Sequence, residues 1–298
     1  MKKKILGSVV AVMLVTLACG GSTTPAIPAG SNVETIVAET IQAHESSAPA
    51  AASETPLPTS TPVNGTMVSV NNISFVIPTG IGSGAQAEFV QAVPPAADMP
   101  WWEVGPAYNR YLIQGYPLPK TFHLPQIFVY PVAEYIQMND GVATVVDNLK
   151  AVINAPGQPW PERLPFLPAF NAAQTFHSNE QLLAFQSGAG LRYLTQYGQA
   201  PSPVNNTEMF YTYQGLTNDG AYYVAAILPV SAPFLAADRF PESPLPPDGV
   251  PFDWNNFENT DQHFDLVKQK LNAADPNSFT PTLLKLDELI QSILVNSQ

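Results

Sequence analysis

The sequence predicts an α+β domain: an antiparallel β-meander of about four strands, packed by a central helix and two C-terminal helices. Three observations carry that expectation. Period-2 alternation of apolar residues is strongest across residues 174–229. A 3.6-residue period appears once in mid-chain, at Val142, Val145, Val146, Leu149 and Val152. Two more helical periods follow only after the strands have ended. Strands separated from late helices fit α+β and not alternating α/β.

The elements follow in chain order. Residues 66–70 and 73–77 read as strands joined by an Asn71-Asn72 turn, and residues 87–93 as a third strand. Residues 111–114 and 127–130 are short apolar runs bounded by Pro and Gly. The mid-chain helix has Asp140 near its start and Pro156 beyond its end, which are ordinary helix signals. Residues 181–187 then lead through Gly188-Ala189-Gly190 into 191–197. Residues 208–217 lead through Asn218-Asp219-Gly220 into 221–228. Asn-Asp-Gly supplies the positive-φ residues of a tight hairpin. Alternation places Tyr211, Tyr213, Tyr222, Val224, Ala226 and Leu228 on one face, the face expected to be buried. Residues 238–257 are a Pro- and Asp-rich loop. Phe264, Val267 and Leu271 mark one late helix; Leu283, Leu286, Ile290 and Ile293 mark the other. Thr280 and Pro281 suit its N-cap and first position.

Composition excludes several function classes. The 298 residues include 12 Lys plus Arg, 24 Asp plus Glu, one Cys and 31 Pro. A net charge of −12 argues against nucleic acid, whose phosphates need a basic face, and against adhesion to an anionic membrane surface. One Cys excludes an intrachain disulfide framework and a Cys-rich zinc site. With 45% apolar residues, the chain is too hydrophobic to be wholly disordered.

The N-terminus carries a location signal. Lys2, Lys3 and Lys4 precede an uncharged, mostly apolar run from residue 5 to 18. That is shorter than the roughly 20 residues of a membrane span and suits a signal-peptide core. The run ends at the only Cys, in Thr16-Leu17-Ala18-Cys19-Gly20. These residues resemble the lipobox of bacterial lipoproteins, with Thr16 and Leu17 standing where that family commonly has Leu and a small residue. The resemblance covers about the first 20 residues. It implies that the Cys19 thiol receives a diacylglyceryl group and that Cys19 begins the mature chain. Two acyl chains anchor stably where one does not. Removal of the three Lys leaves nine basic against 24 acidic residues, a charge of −15. An ordinary signal peptide cut near Ala18, or an uncleaved anchor, is the alternative.

Three segments result: a signal peptide at 1–18, a lipidated Cys with an Ala/Ser/Thr/Pro-rich tether at 19–65, and a globular domain at 66–298. Residues 20–65 hold no Lys, Arg or aromatic side chain. The stretch 46–62 lacks the apolar surface to offset chain entropy and reads as a semi-rigid stalk. Within the tether, Val33, Ile36, Val37, Thr40 and Ile41 recur at helical spacing after Asn32. A mostly mobile linker is expected there, with a helix that pairs elsewhere as the alternative.

Chemistry is sparse. No Gly-x-Ser-x-Gly elbow occurs, and the Gly80–Gly84 cluster around Ser83 has no helix or Lys to make a phosphate cradle. His44, His123, His177 and His263 lack metal-ligand spacing and read as surface or hydrogen-bonded residues. Seven acids fall between Asp238 and Asp265. Asp253, Asn255, Glu258 and Asp261 offer oxygens that suit Ca²⁺. The EF-hand spacing is missing, so a solvated acidic loop is expected and no cofactor is assigned. Asp261 and Asp265 stand at i and i+4 on the helix, with His263 pointing elsewhere. Trp101, Trp102, Trp160 and Trp254 all lie in Pro-flanked places; they either plug loops onto the core or stack on sugars. Arg192 lies mid-strand and, if buried, needs an acceptor.

The expected protein is therefore a monomeric, membrane-anchored extracytoplasmic lipoprotein. Its domain, stalk-borne and matching no characterised enzyme family, is a non-enzymatic binding or scaffold module. The alternatives are a hydrolase with a non-local carboxylate site and a sugar-binding module built on the Trp loops.

Overall fold

The strongest alternation in the sequence becomes four adjacent strands at one end of a seven-stranded antiparallel sheet. In the computed structural model, residues 63–296 are described; the signal peptide, Cys19 and the tether lie outside the described residues. The chain divides into two units, residues 1–60 and 61–298, and the second holds every described residue.

The first two strands are β1 (Gly65–Val70) and β2 (Ile73–Pro78). They form a hairpin in which Asn71 adopts φ 57° at the expected turn. Then come β3 (Gly84–Val90), β4 (Tyr108–Gln114) and β5 (Gln126–Pro131). The meander follows as β6 (Ala173–Phe185), β7 (Gly188–Gly198), β8 (Phe210–Thr217) and β9 (Tyr222–Pro229). A two-residue β10 (Leu294–Val295) closes the chain. The large sheet runs β3-β4-β5-β9-β8-β7-β6, with all neighbours antiparallel. The small one runs β1-β2-β10. The described residues thus form one α+β domain with segregated helices, as expected.

Burial departs from the expectation in one respect. Tyr211, Tyr213, Val224, Ala226 and Leu228 do share a core, together with β2 and the C-terminal helices. The opposite face is buried as well: Phe210, Tyr223, Ala225 and Ile227 pack into a second core. Residues 222–229 are a nearly unbroken apolar run, which fits burial on both faces. The large sheet is therefore the central layer of three.

Helices cover its two faces. On one side lie α1 (Val132–Met138) and α2 (Asp140–Asn154). The first, at seven residues, is too short to show a period and was not anticipated. Asn139 caps the second, its Oδ1 accepting from the Gly141 amide at 3.1 Å. On the other side lie α3 (Thr260–Ala273), α4 (Leu283–Gln291) and the small sheet. The cap of α4 is Thr282, whose Oγ1 accepts from the Lys285 amide. Thr280 cannot serve as the cap because its backbone is paired with Ser231 in both directions. The third strand also starts three residues earlier than expected, at Gly84, where it begins its register against Gln114.

Candidate functional site

β6 ends the large sheet and is irregular. Ser178 faces Leu194 and Gln181 faces Arg192, so β6 inserts one extra residue between these pairs. Asn179 takes the left-handed conformation there, at φ 53°, an uncommon one that Asn tolerates better than most residues. Its amide donates to Asn272 Oδ1 on α3. On a regular strand residues 177 and 180 would point to opposite faces. The bulge brings them together: His177 Nδ1 bonds Glu180 Oε1, and Lys268 Nζ of α3 stands 3.7 Å from the same oxygen. Both partners of the His–Glu pair are buried. Burial works to raise the Glu180 carboxyl, but the His177 hydrogen bond, a backbone amide and the Lys268 charge hold it below the usual carboxylate range.

Beside this pair a cleft of about 390 Å³ opens at the sheet edge. Trp160 enters it from the margin of the α1/α2 core, and Phe264 from the margin of the core under α3 and α4. Thr175, Phe176, His177 and Lys268 also line it, with Glu162, Asp261 and Asp265. The helical i,i+4 spacing of Asp261 and Asp265 puts both carboxylates on this side of α3. Among the described residues none of the three joins an ion pair. All three are exposed. Thr175 is engaged, its hydroxyl donating to the Gln196 carbonyl at 2.8 Å.

The cleft thus unites Trp160 and Asp261, which belong to two different expected groups, and leaves both groups incomplete. The acidic loop is held by hydrogen bonds of its own side chains. Asp253 Oδ1 accepts from the Asn255 amide, and Asn256 Oδ1 from the Glu258 amide, so these side chains fold the loop locally. Among the described residues no three His, Cys, Asp or Glu are grouped to hold a metal ion. The tryptophans do not form a shared platform either. Trp101 and Trp102 pack edge to face, and Trp254 packs on Phe252. Trp101 lines a separate depression of about 460 Å³ at the start of α2. There the polar partner Asn139 is already committed to Gly141 and to the Trp101 carbonyl.

The remaining polar candidates are structural. Arg192 is buried, donating to the Asn179 carbonyl and Gln181 Oε1 at 2.7 Å each, with Nε 3.3 Å from Asp287 Oδ1. Burial raises the Asp287 carboxyl; Arg192 and the Tyr211 hydroxyl oppose that rise. His263 Nε2 accepts from the Val204 amide while Nδ1 faces the Pro251 carbonyl, so both ring nitrogens hold backbone. Burial lowers its pKa, with the Pro251 contact opposing. His123 stacks on Phe170 and is pushed down to about 4 by burial.

His177, Glu180 and Lys268 were not singled out as a group from the sequence. Their only linear signal is the break in alternation across residues 177–181. No family model matches the chain, and no characterised protein sequence or solved structure matches it either.

Proposed function

We propose that the chain is a lipid-anchored extracytoplasmic binding protein whose recognition site is the β6 cleft. One observation supports this most. The His177 and Lys268 side chains of the cleft are already bound to protein, whereas its Trp and its three exposed carboxylates are not. His177 and Lys268 converge on Glu180, and the Thr175 hydroxyl is donated to backbone. Trp160, Glu162, Asp261 and Asp265 remain available. The lipobox-like Cys19 and the Pro/Thr stalk would hold such a domain off a membrane.

The hydrolase reading has one observation in its favour, the three carboxylates around a single cleft. A carboxyl acting as general acid is usually withdrawn from water, and these three stand in it. Two measurements test the proposal. Cells fed labelled fatty acid should label the wild type and not Cys19→Ala; an unlabelled wild type removes the anchor. The whole chain should leave chromogenic glycosides and esters intact, and turnover abolished by Asp261→Asn or Asp265→Asn would replace binding with hydrolysis.

A further inference from the structure

We infer that the β6 cleft takes a small organic cation, an alkylammonium group carried by a polyamine or a comparable amine. The inference rests on the cleft being a binding site and adds its ligand class. Three features point the same way.

The first is size. A volume of about 390 Å³ falls within the range of small-molecule pockets, roughly 300–1,000 Å³. The second is the wall. Trp160 and Phe264 are half-buried at the margins of the two cores, and Phe176, buried in one of those cores, also lines the cleft. Aromatic faces attract ammonium ions through their quadrupole, Trp most of all. The third is charge. The cleft's one lysine, Lys268, is directed at the buried Glu180, which His177 also contacts. Glu162, Asp261 and Asp265 are left without a counter-ion among the described residues. An anion would meet three carboxylates. A neutral sugar would use Trp160 but leave those charges uncompensated.

The test titrates the whole chain with spermidine and with tetramethylammonium at constant ionic strength, read by tryptophan fluorescence and calorimetry. Cellotriose serves as the neutral probe. Spermidine should bind saturably and weaken as salt rises. The double variant Asp261→Asn with Asp265→Asn should weaken it roughly tenfold or more, as should Trp160→Ala, while Glu242→Gln should not. The carboxylate variants are on the surface, so they remain informative if Trp160→Ala fails to fold. Binding equally indifferent to the Asp261/Asp265 and Glu242 changes would be diffuse attraction to an acidic chain and would overturn the inference. So would the absence of binding by either cation. Saturable cellotriose binding lost in Trp160→Ala, with both cations inert, would overturn the cation and leave the binding site standing. Turnover of chromogenic substrates would instead remove the binding reading itself.

Discussion

Gly220 sits at φ 71° in the β8–β9 turn, where its amide bonds the Thr217 carbonyl at 2.8 Å. Nothing lies within 4 Å of a Cβ placed there, so a substitution meets only backbone strain. Gly220→Val should cost about 1–2 kcal/mol, and Gly220→Asn distinctly less. Urea unfolding of the two variants checks this; equal stability of Val and wild type would place Gly220 elsewhere than the turn. His123 gives a prediction of opposite character. Its folded pKa of about 4 lies below its unfolded value near 6.5, so the unfolded chain binds the extra proton first. Stability should therefore fall as pH drops from about 6.5 toward 4. Lowered His263 and Glu180 act in the same direction, Glu180 at the acid end of that window, while raised Asp287 opposes them. In His123→Phe the stacking on Phe170 survives and the titration does not. Melting temperatures between pH 7 and 4.5 should then decline less steeply than in the wild type.

At the scale of elements, α4 is joined to the meander by one buried ionic contact. Asp287 accepts from the Tyr211 hydroxyl at 2.9 Å and faces Arg192 across the core. Breaking such a pair by removing one partner strands the other charge and costs roughly 3–5 kcal/mol. Asp287→Asn should therefore destabilise the domain by about 3 kcal/mol in urea unfolding. Arg192→Met combined with Asp287→Leu should recover part of that loss, because both charges then leave together. A double variant as unstable as the summed single ones would show that the two residues do not interact. The β6 bulge uses the same neighbourhood: the Asn179 carbonyl that it turns inward accepts from Arg192. One irregularity thus supports both the buried charge and the cleft.

At the scale of the whole domain, the last strand returns to the first hairpin. Leu294 and Val295 pair with Ser74 and Ile73, and the Asn296 amide reaches the Asn72 carbonyl. Non-local closure of this kind ties the two ends of the described chain into one cooperative unit. A fragment of residues 63–298 should accordingly unfold in a single transition. Its start must include Asn64, whose carbonyl accepts from the Thr79 amide at 3.1 Å. Ca²⁺ and Mg²⁺ should shift its melting temperature equally at matched ionic strength, since the 238–265 acids attract cations diffusely. A Ca²⁺-specific rise of many degrees, lost in Asp253→Ala or Glu258→Ala, would instead make that loop a metal site.

The sequence by itself determined the α+β class, the four-strand meander, the Asn71 and Gly220 turns, and helices at 140–154, 260–273 and 283–291. These rest on local periodicity and turn chemistry, which a linear reading can see. It also carried the lipobox-like Cys19, the acidic charge, and the need for a partner at Arg192. Tertiary structure alone decided that both sheet faces are buried, that β10 joins β2, and that Asp287 answers Arg192 from 95 residues away. It alone paired His177 with Glu180 and brought His177, Trp160 and Asp265 to one cleft. A bulge reverses strand parity, and a cleft at a sheet edge draws on three segments distant in sequence. Neither leaves a period or a spacing in the chain, because the contacts that create them are set by packing between elements and not within them.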